Sequence, residues 1–116
     1  MPKSATNLAR RLLGLDQASL EDLEIHQFRD EMEAHDDEAT TKLYSDFESK
    51  TDRAQSELTA SYGEPLRTGN DHDKDIPLCG IRRFAIWEVE RKLLYLAFAH
   101  EDRGLPILLM LGTVLR

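Results

Sequence analysis

A single cysteine, Cys79, leaves this chain no partner for an internal disulfide, so a packed core must hold it together. The longest stretch without a charge, Gly104 to Leu115, has 12 residues. That is short of the roughly 18 that mark a membrane span, and no membrane association is expected. Bases are scarce. The 15 Lys and Arg stand against 22 Asp and Glu, a net charge of -7, which argues against direct nucleic-acid binding through phosphate neutralisation. Gly-x-Gly-x-x-Gly, Gly-x-x-x-x-Gly-Lys and Gly-x-Ser-x-Gly are all missing, and with them the usual signs of dinucleotide, phosphate-loop and nucleophile-elbow chemistry. The first residues lack the apolar core and cleavage signature of a secretory signal. The chain reads as cytoplasmic, with no cofactor and with an enzymatic role disfavoured.

What is present is globular. Hydrophobic residues make up 41% and charged residues 32% of 116, enough for one domain that buries roughly two thirds of its unfolded surface. Acidity is confined to one segment. Residues 1–15 carry three bases and no acid, residues 16–57 carry fourteen acids and four bases, and residues 58–116 balance eight against eight.

Leu8, Leu12 and Leu15 recur at helical spacing, with Arg10 and Arg11 in the last turn and Gly14 at the stop, which predicts a short docking helix. The basic, acid-free composition there is also that of an organelle transit peptide. A second helix is predicted from Ser19, with Asp22 completing a capping box and Leu20, Leu23, Phe28 and Met32 as its apolar stripe. From Ala39 a further stripe runs through Leu43, Phe47, Thr51, Ala54, Leu58 and Tyr62, ended by Gly63 and Pro65. One rod from Leu20 to Tyr62 would be about 65 Å long, against a radius of gyration near 13 Å for a compact chain of this size. A break at Glu33 to Glu38, with Asp36 or Asp37 as a new cap, therefore makes a helical hairpin the preferred reading over a long helix paired with another chain.

Arg67 to Ile76 is rich in Gly, Asn, Asp and His and reads as an exposed loop. Beyond it, Phe84 to Val89, Leu93 to Ala99 and Leu105 to Leu115 fit three strands of a meander, with Gly104 taking a left-handed turn position. A buried helix over Arg82 to His100 is the alternative, since Leu and Ala mark strands poorly. The expected architecture is α+β: N-terminal helices, one short and then a hairpin or long helix, packed on a small C-terminal antiparallel β-meander. Within residues 1–116 as one domain, 1–62 form a helical acidic layer, 63–80 a loop and 81–116 the meander. Trp87, Tyr95 and Phe98 would meet Leu23, Phe28, Met32, Leu43, Phe47 and Leu58 in the core.

Asp71, Asp73 and Asp75 are spaced like the opening of a calcium loop, but Ile76 and Arg82 stand where such a loop needs Gly and a bidentate acid. His26 and His35, nine residues apart, would lie on opposite faces of a helix, and Glu31 with His35 is commonly a surface pair. His100, Glu101 and Asp102 crowd a titratable imidazole and two acids at a hairpin tip, a composition suited to general acid–base chemistry or simply to a polar turn. Cys79 reads as a buried or half-buried structural thiol.

The strongest functional feature is the acid density at Glu31, Glu33, Asp36, Asp37 and Glu38, which would complement a basic macromolecular partner and steer its approach. The reading that follows is a small non-enzymatic binding or regulatory protein. The alternative is a small enzyme or ligand binder that uses His100, Glu101 and Asp102, with His72 or an ion. A homodimer is also expected, through the long helices or through the edge of the last strand, which has no visible protection but Pro106.

Overall fold

The computed structural model describes residues 4–115. The expected α+β architecture is what it shows, with helices packed on an antiparallel sheet whose C-terminal strands form a meander. The elements are α1 (Ala5–Leu13), β1 (Ser19–His26), α2 (Glu31–Ala34), α3 (Asp37–Tyr62), β2 (Arg67–Gly69), β3 (Ile81–Val89), β4 (Lys92–Ala99) and β5 (Ile107–Leu115). The five strands lie in the order β1-β5-β4-β3-β2, every pair antiparallel.

Helix α1 begins at Ser4, whose hydroxyl accepts from the Asn7 amide, and it buries Ala5, Leu8, Ala9 and Leu12 along one face. Glu57 of α3 reaches across to accept from the Ser4 hydroxyl at 2.6 Å and the Thr6 amide at 3.0 Å, so α3 also satisfies the first turn of α1. Burial raises the Glu57 pKa, but these hydrogen bonds outweigh it and the net shift is downward. The break expected before α3 is real. Asp36 caps α3 by accepting from the Ala39 amide at 3.0 Å, and Asp37 and Glu38 occupy its first turn. The 26 residues of α3 make a rod about 39 Å long, preceded by the single turn of α2 rather than by an equal hairpin arm. Its stripe of Phe47, Thr51, Ala54 and Leu58 is buried as the periodicity predicts.

The helix expected from Ser19 is instead the strand β1. Its register slips between Asp22 and Glu24, leaving Leu23 as the extra residue of a bulge opposite β5. The bulge puts Leu23 into the helix-side core while Leu20 and Ile25 stay half-exposed, so the apolar positions fall three and then two apart. This spacing imitates a helix, and pairing with β5 overrides the capping-box signal. The segment expected as a loop after Pro65 contains a short strand, β2, which pairs with Phe84, Ala85 and Ile86.

The sheet is apolar on both faces. Ala85, Trp87, Leu94, Leu96, Phe98, Leu109 and Leu111 pack under α1 and α3, and Trp87 donates its indole N–H to the Gly63 carbonyl at 2.9 Å, tying down the end of α3. Phe84, Ile86, Leu93, Tyr95 and Ala97 form a second cluster with Ile76 and Leu78 from the loop after β2. Burial on both faces explains why β4 shows no alternation and why a buried helix competed for the same residues. Tyr95 thus lies on the face away from the helices. Met32, expected in the core, is 84% exposed, and Cys79 is exposed rather than buried. The left-handed turn residue of the meander is Glu90, at φ 58°, between β3 and β4; Gly104 does not adopt that conformation.

Strand β5 is no edge, since β1 and β4 flank it, so the argument for dimerisation through it fails. One exposed edge is β1, which carries Glu21, Asp22 and Glu24; a second copy paired there would oppose like charges. No helix among the described residues is long and apolar enough to cross a membrane.

Candidate functional site

Between the end of β1, the turn α2 and the first half of α3 lies an open groove of about 650 Å³, lined by His26, Arg29, Asp30, Met32, Glu33, Asp36, Lys42, Leu43 and Asp46, with Ala39 at its base. Local chemistry builds it. Asp30 caps α2 by accepting from the Glu33 amide at 2.9 Å, which turns the chain away from the sheet. Two residues further on, Asp36 starts α3, and the resulting corner carries acids on both arms. Residues 29–46 hold seven acids and two bases, a net charge of -5.

The five acids singled out from sequence do not act alike. Glu33 is internally neutralised: Arg29 donates to it at 2.5 Å and His26 lies at 2.9 Å, and these hydrogen bonds, Arg29 first, hold its carboxyl below the ordinary range. Asp36 is committed to the cap. Asp37 meets Arg103 at 3.2 Å, with both side chains more than half exposed, so the pairing is weak. Glu31 and Glu38 are exposed and make no ion pair with a described residue. Glu31, Asp37 and Glu38 are thus the least committed of these acids, whereas Asp30 and Asp36 cap helices and Asp46 pairs with Lys50 at 3.2 Å.

Sequence reasoning missed two features of this region. His26 sits on a strand and pairs with Glu33 seven residues on, a contact invisible to helical spacing. Behind the groove, the rings of His26, Phe28, His100 and Tyr44 form a chain with centroid separations of 5.2, 5.7 and 5.5 Å. His100 has no free nitrogen: Nε2 donates to the Leu105 carbonyl at 3.1 Å, so Nδ1 must accept from the Tyr44 hydroxyl at 2.5 Å. Burial lowers its pKa, with the Arg82 charge adding to the effect. Arg82, brought to the helix side by a slipped register in β3, stacks on the Tyr44 ring at 4.0 Å. Glu101 and Asp102 are exposed, and Asp102 is used by the Arg103 amide. His100 is thus a structural bridge between α3 and the last hairpin.

The Asp71, Asp73 and Asp75 spacing does serve a cation, but an internal one. Arg67 donates to both oxygens of Asp73 at 2.8 and 2.9 Å and to Asp75 at 2.5 Å. Asp71 turns to accept from the His72 amide. The guanidinium hydrogen bonds hold Asp73 down at about 2. Among the described residues, no group of three or more His, Cys, Asp or Glu side chains is placed to hold a metal ion. Comparison with known protein families, with characterised proteins and with solved structures gives no match.

Proposed function

We propose that this protein is a non-enzymatic binding protein whose acidic groove receives a basic segment of a macromolecular partner. The observation that carries the reading is Met32: a long, adaptable apolar side chain, 84% exposed, in a groove whose lining acids Asp30, Glu33, Asp36 and Asp46 outnumber its bases Arg29 and Lys42, with the exposed acids Glu31, Asp37 and Glu38 next to them in the chain. Methionine at an exposed groove suits a surface that repacks around a partner's apolar anchor, while the surrounding acids supply steering and register. Leu43 gives the groove a half-buried apolar floor for the same anchor. The partner segment that fits carries Lys or Arg on both sides of one Leu or Phe.

The test is a titration with a synthetic helical peptide of alternating Lys and Leu turns, followed by amide chemical shifts. Perturbations are expected over Asp30 to Asp46, with affinity falling steeply as salt rises. The double variant Asp37→Lys, Glu38→Lys should weaken binding by tenfold or more while keeping the fold, at a cost of about 1–2 kcal/mol from the reversed charges in the first turn of α3. Shifts spread evenly over the protein, or an affinity indifferent to these substitutions and to salt, would reduce the acidic face to a solubility feature.

A further inference from the structure

On the sheet face away from the helices, the loop after β2 stops short of β1 and leaves a cavity of about 340 Å³. Its apolar walls are Ala18, Leu20, Pro77 and Val114, and its polar groups come from Lys74, Tyr95 and Thr113, with Asp75 at the rim. Tyr95 is 1% exposed, yet its hydroxyl makes no hydrogen bond to any described residue. Its ring lies flat across the neighbouring strand because position 112 is glycine: a Cβ there would sit 2.3 Å from the phenol oxygen. The hydroxyl is thereby carried across β5 to the cavity beside β1.

The groups left unspent around this cavity are donors. Burial pushes the Tyr95 phenol up to about 12, so it stays protonated at neutral pH. Lys74 makes no close ion pair with a described residue, because Arg67 takes both neighbouring aspartates. No buried side-chain nitrogen or oxygen among the described residues lacks a partner, so the Tyr95 hydroxyl, otherwise enclosed with its ring, opens onto the cavity and is available to a guest there. The volume is at the lower end of small-ligand cavities, about 300–1,000 Å³.

We infer that this cavity is a binding site for a small amphipathic carboxylate, with the head group accepting from Tyr95 and Lys74 and the apolar body lying on Leu20, Pro77 and Val114. The site is separate from the acidic groove, which sits at the helix-side end of β1, and the two stand or fall independently.

The probe is octanoate, titrated into the full chain and followed by amide shifts and calorimetry, with 1-octanol and octylammonium as controls. Octanoate should shift Ser19, Leu20, Lys74 and Val114 and leave Asp30 to Asp46 unmoved. Lys74→Gln and Tyr95→Phe should each weaken it about tenfold, the effect of losing one hydrogen bond to a charged group. Tyr95→Phe should leave the melting temperature unchanged or higher, because the hydroxyl has no partner in the protein to lose. That separates a ligand contact from a structural one. Absence of octanoate binding, equal binding of 1-octanol or octylammonium, or octanoate affinity unaffected by Tyr95→Phe would each overturn the assignment.

Discussion

Replacing Asp73 by Asn preserves the side chain's shape and removes the charge that Arg67 grips, which isolates the contribution of the clamp holding the loop after β2 over the sheet. Asp73 is nearly buried, at 9% exposure, and accepts both arms of the guanidinium fork as well as the Asp75 amide. Its pKa falls from the ordinary 3.8 to about 2. At about 1.4 kcal/mol per unit, this depression corresponds to about 2.5 kcal/mol of stability at neutral pH. Arg67 is one-third exposed, so solvent screening trims the expected value to about 2 kcal/mol. Because the folded pKa is depressed, the contribution is complete above the unfolded pKa near 4 and is lost as pH falls through about 2. Urea unfolding followed by Trp87 fluorescence should therefore show Asp73→Asn about 2 kcal/mol less stable than the parent at pH 7, with the gap narrowing between about pH 4 and 2. A gap below about 0.5 kcal/mol at neutral pH, or one that does not change with acid, would refute the clamp.

Asp36→Ala removes the cap of α3 and should cost about 1 kcal/mol in urea unfolding, and Asp37→Lys at the next position should cost about 0.5–1 kcal/mol, its share of the charge reversal in the first turn. Because burial first and then Arg82 lower the His100 pKa, its contribution should be present above about pH 6.5 and lost as pH falls below that value; a nitrogen-15 titration of the imidazole should find a midpoint below the ordinary one, and Tyr44→Phe should move it. Gly80→Ala would place a Cβ 2.6 Å from the Glu101 Cα and the His100 carbonyl at a φ of 68°, so a loss of about 1–3 kcal/mol is expected in thermal or urea unfolding. Gly112→Ala should displace the Tyr95 ring and cost a similar amount, read as a changed ring environment in near-ultraviolet circular dichroism as well as in stability.

The last three strands were legible because each apolar block is short and bounded by turn residues, and α3 because its stripe repeats faithfully with an Asp start and a Gly stop. β1 was not. Its acids and its bulge at Leu23 imitate a capped amphipathic helix, and only the partner strand at the other end of the chain reveals the pairing. Met32 read as core for the same reason: it completed a stripe that does not exist. The acidic patch was visible as composition, yet which acids are already occupied depends on Arg29, His26 and Arg103 arriving from different elements. The Tyr95 cavity left no trace in sequence, since a phenol above a glycine on the next strand is a property of register alone.

The strand order has a consequence for synthesis. β1 pairs only with β5, and Ser19 bonds to Thr113, 94 residues downstream. At a translation rate of about 5–20 residues per second, β1 waits roughly 5–20 seconds for the strand that shelters it. During that interval, Leu20, Leu23 and Ile25 emerge from the ribosome without a partner, separated by Glu21, Asp22 and Glu24. The acids that guard the finished edge therefore first serve the nascent chain, keeping a strand with no partner from joining its neighbours on the same messenger RNA.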